Sequence, residues 1–166
     1  MKHRPLASGA MIAALYAALT LALAPVSYGP LQFRVSEAMT LLPFYRPEAI
    51  PGLFIGCAVA NFFGGYGLVD MVAGSGATLI AALLTRRAPC LWAAALPPVA
   101  ANMVIIGGML HLLLGVPLLA TCAWVGLGEA GVCFLIGVPL MKALERQGIL
   151  IPRGAEPPRG EVAGGH

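Results

Sequence analysis

Gln32, Arg34, Ser36 and Glu37 fall within six residues of one another in a chain that is otherwise strongly apolar. At membrane depth a charged side chain costs several kcal/mol unless it is paired or faces a cavity, so residues of these types read first as a site. Asp70 and Glu129 are the other carboxylates placed inside apolar stretches, and Asn61 and Asn102 add amides that both donate and accept. No HExxH, GxSxG, Walker A lysine or EF-hand loop is present, so the chain carries no familiar catalytic or nucleotide-binding apparatus. An intramembrane enzyme using carboxylates and His111 as acid and base has no matching spacing to support it.

The elements that must position these groups follow from composition. Hydrophobic residues make up 59% of the chain and charged ones 10%, with a mean hydropathy of +0.87, well outside the range of soluble domains. The expected fold is an all-α integral membrane protein, and 166 residues leave room for roughly five to seven spans of about 20 residues each. A net charge of +3 is too small to indicate nucleic acid as a partner.

In order, the first span runs from Leu6 to about Ser27 and is too long for a signal peptide's apolar core. Ala10, Ala14, Ala18 and Ala22 form a small-residue ridge along it, suited to close helix contact within the bundle or with a partner. Residues 33–45 rise only about 20 Å if helical, short of the roughly 30 Å hydrocarbon core, so the second span is short, tilted or partly re-entrant. Arg46-Pro47-Glu48 is a turn. The third span, Pro51–Phe63, carries Gly52, Gly56, Ala60 and Gly64 at period four, and the fourth runs from Leu68 to Thr85. The fifth, Leu91 to about Leu114, is kinked at Pro97-Pro98, and the sixth runs from Leu118 to Leu144. Residues 1–146 thus form one six-helix membrane domain, and residues 147–166, rich in Gly, Pro and charge, are expected to be a disordered cytoplasmic tail.

Charge placement supports the count. With six spans, Lys2, Arg4, Arg46, Arg86, Arg87, Lys142, Arg146, Arg153 and Arg159 all fall on the side of the termini, which is nine of the ten basic residues. By the positive-inside rule both termini are cytoplasmic. Arg34 and Glu37 then begin the second helix at the outer side, where they share a face and can pair with each other. Asp70, in the first turn of the fourth span, can cap its helix or join the same cavity, and Glu129 lies near the midplane. Cys57, Cys90, Cys122 and Cys133 show no CxxC or Cys/His spacing, so neither metal nor disulfide is expected.

The runs RVSEAMTLLPFYRPEAIPGLFIGCAVANFFGG, LVDMVAGSGATLIAALLT, LPPVAANMVIIGG and VGLGEAGVCFLIGVPLMKALER resemble the QueT family of queuosine precursor transporters over about residues 10–146. The resemblance implies a six-helix substrate-binding S component of an energy-coupling factor (ECF) importer in a prokaryotic plasma membrane. It implies an outward-facing site for a 7-deazaguanine, such as the 7-aminomethyl or 7-cyano compound, and no cofactor. It also implies a transmembrane coupling subunit and two ATPase subunits as partners, with Ala10, Ala14, Ala18 and Ala22 docking the coupling subunit. On this reading Glu129 or Glu37 accepts the donors of the base edge, Asn61 or Asn102 reads its carbonyl or ring nitrogens, and Phe33, Phe44, Phe62 or Tyr66 stacks on its ring, with Arg34 and Asp70 completing the polar set. A stand-alone transporter of a nucleobase or vitamin-like molecule, driven by a proton on Glu129 or Glu37, is the rival, although no internal repeat accompanies it.

Overall fold

The computed structural model of the chain describes residues 3–28, 32–64 and 66–151. Among the described residues the regular structure is helical throughout. Helix α1 (His3–Ala22) continues through a break at Leu23 into the one-turn α2 (Ala24–Ser27). Residues Val35–Leu41 form a 3₁₀ helix that runs directly into α3 (Leu42–Tyr45), so residues 35–45 are helical but wound at first more tightly than an α-helix. Helix α4 (Ala49–Phe62) and the long α5 (Gly67–Arg87) follow.

The expected proline kink appears as a break at Ala95, which separates α6 (Leu91–Ala94) from α7 (Leu96–Leu114). Helix α7 ends at Gly115, whose φ of 66° lets its N–H reach His111 O at 2.9 Å and close the helix in the left-handed manner that glycine favours. The last span is not uniform. Helix α8 (Leu118–Ala130) opens into a π-helical stretch over Gly131–Gly137 before α9 (Val138–Arg146) resumes the ordinary pitch.

By length and composition four stretches can cross a membrane: Pro5–Ala22, Gly67–Arg87, Leu91–Leu114 and Leu118–Arg146. Helix α4, at 14 residues, is apolar but shorter. The outward faces are as apolar as the interior, with Leu112 at 82% and Leu119 at 85% exposure, the pattern of helices solvated by lipid.

Packing follows the small residues. A Cβ added at Gly52 or Gly56 would run into the backbone carbonyls of Gly9 and Ala13, so α1 and α4 touch backbone to backbone. On α5 the flank of Gly74, Thr78 and Ala82 is buried, and Thr78 donates to Cys57 Sγ of α4 at 3.2 Å. The tight 3₁₀ helix lies on the wide π stretch, where Gly137 accommodates Ala38 and Leu41.

One hydrophobic core gathers Tyr16, Met39, Leu53, Cys57 and Ala82, and a second gathers Ala77, Ile106, Leu110 and Val125. A third, around Leu41, Tyr45, Leu91, Val138 and Met141, also takes in Leu150. The chain beyond α9 therefore turns back onto the bundle, with Arg46 donating to Ile149 O at 3.0 Å, and the rest of the expected tail, 152–166, lies outside the described residues. So do Lys2, the turn at residues 29–31 and Gly65.

The α1–α4 contact makes a clear prediction. Gly56→Ala forces a methyl onto Ala13 and is expected to cost about 1–3 kcal/mol, the range for overpacking a tight contact. Gly76→Ala, where an added Cβ meets nothing within 4 Å, should leave stability unchanged or higher. Thermal unfolding of the two variants in detergent checks this.

Candidate functional site

Arg34 sits in extended backbone (φ −90°, ψ 100°) immediately before the 3₁₀ helix, so it does not share a helical face with Glu37. The anticipated Arg34–Glu37 pairing is replaced by another. The guanidinium is 4% exposed, reaches Asp70 Oδ2 at 3.6 Å, donates to Asn61 Oδ1 at 2.8 Å and donates to Ser27 O at 3.3 Å. It also lies over the Tyr28 ring, 5.2 Å from the centroid.

Asn61, fully buried, uses its amide nitrogen on Asp70 O at 3.2 Å and on Cys57 Sγ at 3.4 Å. A Cβ at Gly74 would fall on that same nitrogen, so α5 keeps a glycine where the amide must sit. Asp70 makes no cap to its helix and serves the ion pair instead. Arg34, Asp70 and Asn61 therefore form a closed brace joining the loop after α2 to α4 and α5. Asn61 is spent on this brace rather than turned to a ligand.

Glu37 goes elsewhere. The Tyr16 hydroxyl of α1 donates to its Oε1, while its Oε2 meets no donor. Cys133 Sγ lies 4.0 Å from the Glu37 carbonyl oxygen and 3.5 Å from Glu129 Oε1, so it stands between the two segments. Glu129, 2% exposed near the end of α8, accepts from Cys133 Sγ at 3.5 Å and lies beside Asn102 of α7. Asn102 also donates to Pro98 O at 3.1 Å, a carbonyl that lies just after the break at Ala95. The π stretch begins directly after this point and carries Cys133 back toward the 3₁₀ helix. Such π insertions recur at functional sites, where they displace side chains from the regular helical register.

Two cavities meet at this polar group. The larger, about 420 Å³, lies at the end of the bundle where Tyr28, Gln32, Tyr66, Val116 and Pro117 come together. Its wall comprises Tyr28, Gln32, Tyr66, Leu110, Leu114, Val116, Pro117, Ala120, Thr121 and Trp124, which makes an apolar chamber with three aromatic rings. Below it is a constriction of about 10 Å³ lined by Gln32, Arg34, Asn102, Ile106, Val125 and Glu129, room for about one water. Gln32 belongs to both walls. It is 5% exposed, has φ 49° in a region uncommon for a non-glycine residue, and its Oε1 meets no donor.

The structure thus brings Arg34, Asn102 and Glu129 to the floor and puts Tyr66 in the wall, while Glu37 lines neither cavity and is bonded to Tyr16. Phe33 lines neither chamber and instead packs on Gly131. Tyr16, Tyr28 and Trp124 are additions. Gln32 belongs to the dense polar run that the sequence marks as a site, whereas these aromatic residues carry no such mark. His111 is bonded to Val116 O and holds the turn at the chamber's edge. Ala10, Ala14, Ala18 and Ala22 are all exposed, on a face of α1 distinct from the one packed on α4. Among the described residues no cluster of His, Cys, Asp and Glu could hold a metal ion.

The family model described as QueT transporter matches residues 6–146. A curated relative, the "Queuosine precursor transporter QueT" of Lactococcus lactis subsp. cremoris (strain MG1363), is 41% identical over 73 residues, which is 43% of this chain. The match also spans 43% of that relative, less than half of its length. No solved structure matches.

The brace is testable apart from any ligand. Breaking one side of a buried ion pair leaves the other charge uncompensated, so Asp70→Leu is expected to lose about 3–5 kcal/mol of stability. Arg34→Leu combined with Asp70→Leu should recover most of it. Additive losses in a double-mutant cycle, read by thermal unfolding, would show that the two residues do not act together.

Proposed function

The chain belongs to the QueT transporter family, a family of transport proteins and not of enzymes, and on that premise we propose that it binds a queuosine precursor of the 7-deazaguanine class and carries it across the membrane. The observation that carries this reading is the aromatic chamber of about 420 Å³ ending on a floor of Glu129, Asn102 and Arg34. A flat base fits between Tyr28, Tyr66 and Trp124 by stacking. Its pairing edge presents adjacent N–H donors that one carboxylate accepts in a bidentate pair, and Glu129 is the carboxylate that lines the constriction next to the chamber. Asn102 reads the neighbouring carbonyl. The ligand displaces Gln32, whose unbonded carbonyl oxygen loses nothing by moving.

The topology we propose has six spans with both termini cytoplasmic, so that the chamber opens outward. Its support is the side shared by Arg46, Arg86, Arg87, Lys142 and Arg146. Arg86 fits that placement, donating toward the carbonyls of Pro43 and Phe44 at 3.4 and 3.3 Å at the end of α3. The chain acts as an S component of an ECF importer, docked through the exposed Ala10, Ala14, Ala18 and Ala22 ridge onto a coupling subunit driven by two ATPases. The exposure of that ridge on a lone chain supports the docking role, because its small side chains allow close approach of another helix.

Titration calorimetry against guanine, queuine, 7-aminomethyl-7-deazaguanine, 7-cyano-7-deazaguanine and a vitamin panel tests the substrate class. A deazaguanine should bind, and Glu129→Gln should weaken it roughly 10- to 100-fold, the equivalent of about 1.5–3 kcal/mol for a charged hydrogen bond. Binding of a vitamin alone would overturn the assignment. Uptake in cells gives the second check: Ala14→Trp should abolish transport and leave binding intact, whereas unchanged uptake would remove the docking role.

A further inference from the structure

The three rings of the chamber are not held alike. The Tyr28 hydroxyl donates to Ala60 O of α4 at 2.6 Å, and the Arg34 guanidinium lies over the ring, 5.2 Å from its centroid. A Cβ at Gly64 would come within 3.0 Å of the ring's Cε1, so a glycine leaves the ring its room. Arg34 is itself fixed by Asp70, Asn61 and Ser27 O. Tyr66 rests against the core around Ala77 and Ile106, and Trp124 is 54% exposed. Among the described residues neither of these two has a side-chain hydrogen bond or a cation against its ring.

Tyr28 lines the chamber and Arg34 does not, while Arg34 lines the constriction below and Tyr28 does not. The ring therefore stands between the guanidinium and the chamber. With its hydroxyl spent and one face covered, what it offers a ligand is the other face. The face of a tyrosine ring is ordinarily negative and repels the negative face of a second ring laid flat upon it. A cation behind the ring draws π density toward itself, so the front becomes less negative and accepts an electron-rich ring more readily.

We propose that Tyr28 is the stacking platform of the site and that the Arg34 charge behind it makes the platform select an electron-rich ring, so that a 7-deazaguanine is taken in preference to guanine. The inference rests on the deazaguanine reading above and gives it a cause at the ring itself. The two bases present the same pairing edge to Glu129 and Asn102, so the floor does not tell them apart. They differ at one ring position, where guanine has an electron-withdrawing nitrogen and the deaza base a C–H. The five-membered ring is then a pyrrole rather than an imidazole, and richer in π electrons. Tyr28 sets the specificity, and Arg34 acts through it as a positioning residue.

Titration calorimetry of the purified full chain with guanine and unsubstituted 7-deazaguanine tests this. The deaza base should bind about two- to tenfold more tightly, the scale of a ring-on-ring contact. Tyr28→Leu should weaken it about 5- to 100-fold, as loss of base–aromatic stacking does, and bring the two bases to equal affinity. Tyr28→Phe, which keeps the ring and loses only the bond to Ala60 O, should retain the preference. A third probe needs no variant and decides even if Tyr28→Leu does not fold. It is 8-aza-7-deazaguanine, which keeps the C–H but has a nitrogen beside it that withdraws π density, and it should bind as weakly as guanine.

Equal affinity for guanine and 7-deazaguanine, an aza compound as tight as 7-deazaguanine, or a preference that persists in Tyr28→Leu overturns the platform and leaves the deazaguanine assignment standing. Failure of these bases and of the 7-aminomethyl and 7-cyano compounds to bind overturns the platform and the assignment together.

Discussion

A guanidinium placed among apolar helices has to be paired, and in this chain the pairing of Arg34 with Asp70 and Asn61 governs the geometry of everything above it. The three residues come from the connection after α2, from α5 and from α4, so satisfying one charge ties three segments at a single point. On one side of Arg34 the chain presents Gln32 to the chamber. On the other it enters the 3₁₀ helix that delivers Glu37 to Tyr16. Neither placement survives if the guanidinium moves. The brace therefore serves the site by fixing its frame, even though Asp70 and Asn61 are absent from the lining of either cavity.

Two departures from ordinary helix pitch answer each other across the interior. The 3₁₀ helix is narrow and the π stretch is wide, and they lie together with Gly137 at the contact. Their joint effect is to set Cys133 of the π stretch between the Glu37 carbonyl and the Glu129 carboxylate. Around that core the remaining contacts are made by small residues. Gly52 and Gly56 seat α1 on α4, and the alanine face of α1 is left free on the outside. A bundle built this way keeps its polarity in the middle and its smooth face toward lipid or a partner.

Much of this is legible in the sequence, and the reasons differ by feature. The helices follow from apolar runs long enough to need no tertiary information, and Pro97-Pro98 and Gly115 mark their breaks and ends because proline and glycine act locally. The glycine ridge of α4 is legible for the same reason, since its period depends only on helix geometry. The buried polar residues are likewise visible as a group, because composition alone makes each of them anomalous. Who pairs with whom is not visible. Arg34 and Glu37 look like neighbours on a helix, and only the extended backbone at Arg34 and the 3₁₀ winding after it separate them. Tyr16, Tyr28 and Trp124 carry no anomaly in an apolar chain, and their roles exist only once distant ends of helices meet. Gln32 is singled out by its place at the head of the polar run, but its position between two cavities depends on a backbone conformation that its residue type does not announce.

The central claim is that the aromatic chamber and its carboxylate floor are one site for a flat, donor-edged base. The most direct measurement is a structure of the chain solved with 7-aminomethyl-7-deazaguanine bound. The account requires the ring between Tyr28, Tyr66 and Trp124, its polar edge against Glu129 and Asn102, and Gln32 withdrawn from the constriction, with the Arg34–Asp70 pair unmoved. A ligand seated elsewhere, or one in the chamber with Gln32 still in place and Glu129 untouched, would contradict it.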